Sequence, residues 1–313
     1  MRAPGKIVLG TRGSDLARAQ TALVERALQI QFSRFESEVR IITTRGDEKN
    51  EKSEEPLDRR AGRKGLFTSE IERALLAGEI DVAVHSAKDL PSHATAGLEI
   101  IAALPRAPFE DVLVSKNAAA FTSLPEGATV ATGSVRRQHQ LRWRRADLNV
   151  RDLRGNVPTR LRKLAAEDWE GIILARAGLE RLGHDCSDGE LAFEGQSFGA
   201  SVLPVDEFLP AGGQGIVALQ ARSDDEETRD IIRELNHSET LLCLRAEREF
   251  LRLLQGDCGT PVAVLAGCDG ATLRMHAQLF EEGRAEPRTA ELQREATPPE
   301  RVAAELLALI NGR

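Results

Sequence analysis

The sequence contains no tyrosine and only two tryptophans, and aromatic residues make up 4% of its 313 positions. Proteins that bind single-stranded nucleic acid stack bases on aromatic side chains, and nucleic-acid binding in general needs a basic face. The net charge here is −7. No apolar run approaches the roughly 18 residues that read as a membrane span. We therefore expect neither a nucleic-acid partner nor a membrane partner.

Cysteine is also scarce, and the spacing of the cysteines does not indicate a metal site. The four cysteines are Cys186, Cys243, Cys258 and Cys268, and no two of them form a C-x-x-C pair. This spacing argues against both a disulfide framework and a structural zinc site, so no metal is expected. The first twenty residues carry charges throughout and lack the apolar stretch of a signal peptide, which predicts a cytoplasmic protein.

Arginine, in contrast, is concentrated in one part of this acidic chain. Between positions 136 and 163 there are ten basic residues against two acidic ones, Asp147 and Asp152. The basic residues are Arg136, Arg137, Arg142, Arg144, Arg145, Arg151, Arg154, Arg160, Arg162 and Lys163. Such a cluster indicates an anionic ligand or, alternatively, a solvated helix face.

The first hundred residues alternate between strand and helix patterns. Apolar runs at 6–10 and 38–44 predict strands, and helical periodicity over 15–31 and 68–77 predicts the helices between and after them. This β-α-β-α-β order is typical of a parallel sheet with covering helices. The almost wholly charged stretch 48–64 predicts a mobile loop.

The segment 81–92, DVAVHSAKDLPS, begins as a buried strand and then presents His85, Ser86, Lys88 and Asp89. Ligands of open α/β sheets bind beyond the carboxyl ends of strands, so this segment is a candidate site. Asp89 is the candidate catalytic carboxylate. The alternative is that it only caps the turn before Leu-Pro, which is common turn chemistry.

Two further strand ends pass into helices beside arginine. Ser14 is a candidate N-cap next to Arg12, and Ser134 is a candidate N-cap for a helix with Arg136 and Arg137 in its first turn. Cations at a helix N-terminus oppose the helix dipole, so an anionic ligand is the functional explanation. For Arg12, a surface ion pair is the alternative.

A third strand end repeats this arrangement, with Asn156 as the candidate cap and Arg154 and Arg160 on either side of it. These arginines are expected at the same edge of the sheet as those after Ser134. The glycine-rich run 209–215 lacks the Lys-Ser/Thr ending of a P-loop, which disfavours nucleotide binding. Cys258 lies in a glycine-flanked loop rather than in an apolar run, which favours a reactive cysteine over a buried, inert one.

Taken together, these segments resemble the porphobilinogen deaminase family, whose members are also called hydroxymethylbilane synthases. Nine motifs occur in the family's order and cover essentially the whole chain. They are GTRGSDLARAQ, TRGD, KGLF, DVAVHSAKDLPS, GSVRRQHQL, LRGNVPTRLRKL, LARAGLERLG, LPAGGQGIVALQAR and GDCGTPVAV. The resemblance implies a transferase that condenses four porphobilinogen molecules head to tail, with release of ammonia, and then releases hydroxymethylbilane by hydrolysis.

The resemblance also implies a fold. It is α/β, with two periplasmic-binding-protein-like α/β domains joined by a two-strand hinge, plus a small α+β C-terminal domain. The implied bounds are 1–104 with 205–222 for domain 1, 105–204 for domain 2 and 223–313 for domain 3. The family further implies a monomer.

The resemblance assigns roles to individual residues. Cys258 is the implied attachment point of a covalent dipyrromethane cofactor through a thioether, and Asp89 is the implied catalytic residue, which also contacts the cofactor. The implied cofactor-binding residues are Lys88, Ser134, Arg136 and Arg137. The implied substrate-binding residues are Arg12, Ser14, Ser86, Arg154, Arg160, Arg181, Lys64 and Phe67, and residues 48–63 match the family's mobile loop.

The sequence departs from the family pattern at two positions. Asp257 precedes Cys258 where the family commonly has glycine, and Gly133 stands before Ser134 where a hydroxyl residue is common. A carboxylate beside a thiol tends to raise the thiol's pKa, which would slow cofactor attachment. The rival to an enzyme is a two-lobed anion-binding module, which explains the arginines but gives no role to Cys258.

Overall fold

The computed structural model describes residues 6–32, 36–44, 68–117, 120–255, 260–281, 283–284 and 286–312. Its strands are β1 Lys6–Thr11, β2 Glu36–Ile41, β3 Val82–Ser86, β4 Leu98–Ala103, β5 Asp111–Ser115, β6 Thr129–Ala131, β7 Asn149–Arg151, β8 Gly171–Ala175, β9 Glu190–Phe193, β10 Gln196–Leu203, β11 Val217–Arg222, β12 Val262–Asp269, β13 Thr272–Leu279 and β14 Arg288–Glu295. Its α-helices are α1 Asp15–Gln31, α2 Ser69–Leu76, α3 Val135–Arg144, α4 Val157–Ala166, α5 Arg176–Arg181, α6 Glu226–Arg233, α7 Ser238–Leu253 and α8 Pro299–Ile310.

The described strands form three sheets, which define three lobes. The first lobe has the strand order β2-β1-β3-β11-β4, the second has β7-β6-β8-β5-β10-β9, and the third has β12-β13-β14. Helices cover the sheets of the first two lobes, and α7 and α8 pack on the third sheet. The predicted class, two α/β units followed by a small α+β unit, is confirmed; the predicted domain boundaries stay a prediction.

The first sheet is mixed rather than parallel, which corrects one expectation. Strands β1, β2 and β3 are parallel as predicted, but β11 inserts between β3 and β4 and is antiparallel to both. The cause is chain topology, because β11 returns from the second lobe and enters the sheet from the opposite end. Strand β3 therefore lies at the centre of the sheet with partners on both sides.

Burial of both faces explains why β3 reads as a continuous apolar run. Val82 and Val84 pack with Val24 and Leu28 of α1 on one face, and Ala83 packs with Ile71 of α2 on the other. A strand fixed on both faces holds its polar carboxyl end in a defined place.

Two segments connect the first and second lobes, namely 104–110 between β4 and β5 and 204–216 between β10 and β11. They run side by side, and Ala107 N donates a hydrogen bond to Gly215 O at 3.1 Å. Gly215 has φ +84°, and a Cβ there would lie 2.5 Å from Ala107 O, so only glycine permits this approach. The predicted glycine-rich run thus serves close backbone packing.

The third lobe is an antiparallel meander under two helices. Phe250 and Ala246 of α7 pack with Val302 and Leu306 of α8 and with Val264 of β12 in one apolar cluster. In the described ranges no helix is long and apolar enough to cross a membrane. The same ranges contain no group of three or more His, Cys, Asp or Glu side chains placed to hold a metal ion.

Candidate active site

The polar end of β3 leads into a 3₁₀ turn, Ala87–Asp89, at the edge of the first lobe. This turn packs tightly against the crossing segment, since a Cβ on Gly213 would lie 2.9 Å from the backbone of Ala87 and Lys88. Gly213 also has φ +75°, which side chains rarely tolerate. The glycine therefore lets the turn that carries Asp89 approach the junction of the two lobes.

Four of the predicted site residues in the first lobe line one small pocket. Arg12, Ser14, Ser86 and Asp89 contribute to its wall. Ser14 caps α1 as predicted, because its Oγ accepts a hydrogen bond from Ala17 N at 3.4 Å. Ser14 Oγ keeps its own hydrogen as a donor, and the helix N-terminus adds partial positive charge. The pocket thus presents one carboxylate among donors suited to an anion.

Arg136 and Arg137 have a protein partner that the sequence reasoning missed. Both guanidiniums are buried and pair with Asp111 at the start of β5: Arg137 Nη2 lies 2.6 Å from Oδ1, and Arg136 Nη2 lies 2.8 Å from Oδ2. Ser134 caps their helix as predicted, by accepting from Arg137 N at 3.5 Å. One carboxylate therefore meets two guanidiniums, and the cluster keeps an excess of positive charge.

Asp111 stays ionised in this environment. Burial alone would raise its pKa, but the charges of Arg136 and Arg137 and hydrogen bonds from Arg137 and Gln214 hold the pKa well below its usual range. Gln214 Nε2 donates to Asp111 Oδ1 at 2.8 Å from the crossing segment. The sequence did contain a signal for this ion pair, namely an acidic residue at the start of the apolar run DVLVS. A buried acid is almost always paired with a cation or a hydrogen-bond donor.

Lys88 lies in the same electrostatic neighbourhood. Burial, followed by the nearby charge of Arg137, lowers the pKa of the Lys88 ammonium to about 8, although Asp89 and Asp111 act in the opposite direction. The side chain therefore faces charged groups of both lobes. An anionic ligand would restore its full protonation at neutral and mildly basic pH.

Arg160 approaches from the second lobe. It lies in the first turn of α4, which Asn156 caps by accepting from Thr159 N at 2.9 Å, and Arg160 Nε donates to Gly155 O at 2.7 Å. Burial and the charge of Arg137 lower the pKa of Arg160 to about 10, while Asp89 raises it. The structure thus brings Lys88, Asp89 and Arg160 together across the two lobes.

Arg154 and Arg181 lie apart from this group. Arg154 is more exposed, and its Nε pairs with Asp152 Oδ2 at 3.0 Å. Arg181 Nη2 donates to Gly215 O in the crossing segment at 2.7 Å, and burial lowers the Arg181 pKa to about 10. Neither is among the residues whose charges shift the pKa of Lys88 or of Arg160.

Several predicted residues lie outside the described ranges. These are Lys64, Phe67, Cys258 with its neighbour Asp257, and the predicted loop 48–63. The other departure, Gly133, has a structural explanation: a Cβ there would lie 2.3 Å from Leu153 O. This backbone conformation has no room for the side chain that the family commonly places before Ser134.

His85 contributes to the wall of the pocket but is buried, and its ring is held by a hydrogen bond. Its Nε2 lies 3.0 Å from Gln220 Oε1, and burial lowers its pKa to about 4, to which the charge of Arg248 contributes. The imidazole is therefore neutral at neutral pH and donates from Nε2 to Gln220.

Solved structures with a related arrangement are periplasmic proteins of low sequence identity. The methionine binding protein MetQ is 12% identical, with a TM-score of 0.44 over 74% of this chain and 89% of that chain. The Bordetella pertussis BvgS periplasmic VFT2 domain is 17% identical, with a TM-score of 0.41 over 74% and 85%.

Sequence relatives are much closer. A porphobilinogen deaminase of Geobacillus kaustophilus is 39% identical over 97% of this chain and 94% of its own length. Those of Syntrophomonas wolfei and Shouchella clausii are 43% and 44% identical, over 85% and 82% of this chain and 82% and 78% of their own lengths.

Two family models match the chain. The model for the "porphobilinogen deaminase, dipyromethane cofactor binding domain" matches residues 7–230, and the model for the "porphobilinogen deaminase, C-terminal domain" matches residues 241–310. Their order and extent agree with two lobes that form a cationic cleft and a third lobe that follows them. The chain belongs to the porphobilinogen deaminase family.

Proposed function

We propose that this chain condenses four porphobilinogen molecules head to tail onto a covalently bound dipyrromethane primer, releases ammonia at each step and finally releases hydroxymethylbilane by hydrolysis. The family membership supports the activity. The observation that carries the proposal is the cleft itself, in which Asp89 lies among Lys88, Arg160 and the Asp111 cluster of arginines.

The excess of cations fits the substrate's charge. Each pyrrole of porphobilinogen carries an acetate and a propionate, so a chain that grows ring by ring accumulates carboxylates. Arginine binds carboxylates through a planar, bidentate set of N–H donors, and its weakly hydrated guanidinium suits buried ion pairs. A cleft with more guanidiniums than carboxylates therefore suits a polyanionic oligomer.

Unused donors in the cleft fit the carboxylates of primer and substrate. The buried Nε atoms of Arg136, Arg137 and Arg181 have no hydrogen-bond partner among the described residues. Arg160 donates only its Nε to a described residue, so its two terminal nitrogens stay available. We assign Arg136, Arg137, Lys88 and Ser134 to the cofactor. The substrate-binding residues are Arg12, Ser14, Ser86, Arg154, Arg160, Arg181, Lys64 and Phe67.

Asp89 is the proposed catalytic residue. When bound, the dipyrromethane supplies a pyrrole terminus to which new units are added. Loss of ammonia from the aminomethyl group of porphobilinogen leaves positive charge that spreads onto the pyrrole nitrogen. The Asp89 carboxylate accepts that N–H, stabilises the charge and receives a proton as the new carbon–carbon bond forms.

Cys258 is the proposed attachment point of the dipyrromethane by a thioether, on the basis of the family motif GDCGTPVAV. It stays a prediction that the chain is a cytoplasmic monomer without nucleic-acid or membrane partners.

The test is incubation of the purified chain with porphobilinogen, followed by acid and light. We expect uroporphyrin I from the released product, a red colour of the protein with Ehrlich's reagent, and an intact mass that includes two pyrrole units. An anion-binding module would give neither the colour nor the porphyrin. Active protein with an unmodified mass would contradict the assignment of Cys258.

A further inference from the structure

A second cavity, of about 680 Å³, lies between the first and third lobes. One wall is formed by β4 and by residues 90–94, which follow the turn that carries Asp89, and the opposite wall is formed by α7. Ligand pockets of proteins typically measure about 300–1,000 Å³, so this cavity has the size of a small-molecule site. Neither Arg12 nor Ser14 nor Asp89 lines it.

The lining of the cavity is mixed. Leu90, Leu98, Ile101, Leu241 and Leu244 form an apolar part, and the remainder carries four arginines together with Glu72, Glu99, Glu249, Glu300 and uncharged polar side chains. The apolar part favours a ligand with an apolar body, and the charged part favours a ligand with a polar head.

Three arginines that line the cavity already have carboxylate partners. Arg233 pairs with Asp230 at 2.6 Å, Arg245 with Glu300 at 2.6 Å, and Arg252 with Glu249 at 2.7 Å. Their charges are therefore largely neutralised at the cavity's outer part.

Arg248 differs from these three. It projects from α7 into the cavity, is partly buried, and forms no hydrogen bond or ion pair with any described residue. Burial lowers its pKa, and the charge of Glu72 offsets only part of that effect. A partly buried guanidinium without a direct partner leaves its N–H donors available to a ligand carboxylate in the cavity.

Glu72 acts on Arg248 through its charge but forms no direct ion pair with it, and its two oxygens are held by other side chains. Its Oε1 accepts from Gln220 Nε2 at 3.0 Å, and its Oε2 accepts from Thr95 Oγ1 at 2.9 Å. Gln220 Oε1 in turn accepts from His85, which lines the catalytic pocket. This buried hydrogen-bonded partition separates the two cavities, so the second one is a site of its own.

We propose that the second cavity binds a small amphiphilic carboxylate, with the carboxylate paired to Arg248 and the apolar body packed against the leucines of β4 and α7. The occupant is a single-headed acid rather than a polypyrrole, because Arg248 is the one arginine of the cavity without a described carboxylate partner.

Calorimetric titration with octanoate tests the proposal, and octan-1-ol serves as the uncharged control ligand. We expect octanoate to bind at least about tenfold more tightly than octan-1-ol, and Arg248→Gln to weaken octanoate binding by a factor of about ten or more. The matched control is Arg274→Gln, an exposed arginine on β13 whose Nε donates to Gln293, which should bind octanoate as the unaltered chain does.

A second variant keeps the test independent of changes at Arg248. Ala94 is exposed and lines the cavity, so Ala94→Trp should fill the opening without disturbing the core, and it should abolish octanoate binding while Arg248 remains. Unchanged octanoate binding in Arg248→Gln or in Ala94→Trp would place the ligand elsewhere, in the arginine-rich cleft, and would overturn the proposal. Absence of octanoate binding to the unaltered chain would also overturn it.

A separate observation concerns two cysteines of the third lobe. Cys243 on α7 and Cys268 on β12 have their Sγ atoms 3.3 Å apart. Cys243 is buried, whereas Cys268 is partly exposed. Burial raises the pKa of both thiols, and the hydrogen bond from Cys243 favours the thiolate of Cys268. Cys268 is therefore the better placed of the two to react first.

We propose that Cys243 and Cys268 form a reversible disulfide in the presence of glutathione disulfide. The Cys268 thiolate attacks glutathione disulfide and displaces one glutathione thiolate. Cys243 then loses its proton, attacks the Cys268 sulfur and displaces the second glutathione. Two protein thiols are oxidised, and one glutathione disulfide is reduced to two glutathione molecules. The closed ring spans residues 243–268 and includes Cys258.

Intact-mass and peptide analysis after equilibration with glutathione disulfide tests this second proposal. We expect the loss of two hydrogen atoms, a cross-linked peptide pair, and faster reaction at higher pH because both thiol pKa values are raised. Cys268→Ser should abolish the change, and Cys186→Ser should not. Two free thiols at equilibrium, or a lasting glutathione adduct on Cys268, would overturn the proposal.

Discussion

The arginines of the catalytic cleft and those on the surface of the third lobe differ in how their charges are balanced. In the cleft, Asp111 is shared between Arg136 and Arg137, and Lys88 and Arg160 lie near them. On the surface of the third lobe, several exposed arginines each pair with an exposed or partly exposed glutamate. Examples are Arg245 with Glu300, Arg252 with Glu249 and Arg294 with Glu305.

The difference separates two uses of the same residue. An exposed ion pair is screened by water and contributes little to stability, so its partners are replaceable. A buried cation without enough carboxylate carries a desolvation cost that shows in the lowered pKa of Lys88 and Arg160. That cost is offset when an anion binds. The cleft therefore has affinity for carboxylates that the surface of the third lobe lacks.

Asp89→Asn should give the largest effect, because it removes the negative charge that faces these cations while keeping the shape of the side chain. We expect kcat to fall by a factor of about 10²–10⁴, as for loss of acid–base and electrostatic catalysis. The KM for porphobilinogen should change little, since the cations that bind carboxylates remain. Steady-state kinetics checks this, and a near-normal kcat would show that Asp89 is not the catalytic residue.

Asp111→Asn should destabilise the fold, because it leaves two buried guanidiniums without their carboxylate. Breaking a buried ion pair costs about 3–5 kcal/mol of unfolding free energy. Urea unfolding measures the change. The control is Asp147→Asn, whose exposed carboxylate pairs with Arg145 in the same lobe and should matter much less. Equal losses of unfolding free energy in the two variants would show that the buried cluster contributes no more to stability than an exposed ion pair.

Arg160→Gln should weaken porphobilinogen binding, with KM rising by about tenfold or more, because it removes a charged donor from a buried site. Arg162→Gln is the matched control, since Arg162 lies on the same helix but is exposed and pairs with Glu194 at 2.6 Å. We expect KM to rise in Arg160→Gln and to stay unchanged in Arg162→Gln. A similar KM for both variants would contradict it.

Lys88 should give the cleft a pH dependence. Its pKa of about 8 means that the ammonium is mostly present below that pH and is lost as pH rises above it. Affinity for the carboxylates of the dipyrromethane, to which Lys88 is assigned, should therefore fall between about pH 8 and 10, because the deprotonated amine no longer attracts anions. Lys88→Arg should remove this fall when cofactor assembly on the apoenzyme is measured against pH, and a persistent fall would assign it to another group.

Arg294→Gln should give the smallest effect. Its guanidinium is exposed and lies 2.7 Å from Glu305, which also contacts Arg301. Neither the melting temperature nor porphobilinogen turnover should change measurably. A clear loss of either would show that the exposed ion pairs of the third lobe contribute to stability or to turnover.

Local sequence patterns were sufficient for the helices and their caps. The predicted spans of α1 and α2 agree with the structure to within one residue, and Ser14, Ser134 and Asn156 cap their helices as predicted. These features depend on residues within a few positions of one another, which is why a single sequence reveals them.

Features that depend on distant parts of the chain were not predicted. Asp111 meets Arg136 across 25 positions and Gln214 across 103, and His85 meets Gln220 across 135. The antiparallel insertion of β11 between β3 and β4 was missed for the same reason, because β11 is distant from both strands in the sequence. The hairpin β9–β10 was also missed. In its turn Glu194 has φ 48° and Gly195 has φ 79°, but Glu-Gly is not one of the pairs, such as Asn-Gly or Asp-Gly, that mark such a turn in a sequence.

The comparison between cleft and surface is tested most directly by intact-mass analysis of the holoenzyme after limited additions of porphobilinogen. The account predicts a ladder of covalent adducts, each larger than the last by one porphobilinogen less ammonia. Arg160→Gln should shift the ladder towards shorter adducts, whereas Arg294→Gln should match the unaltered chain. An identical ladder for Arg160→Gln and Arg294→Gln would contradict the claim that the cleft arginines bind the growing chain.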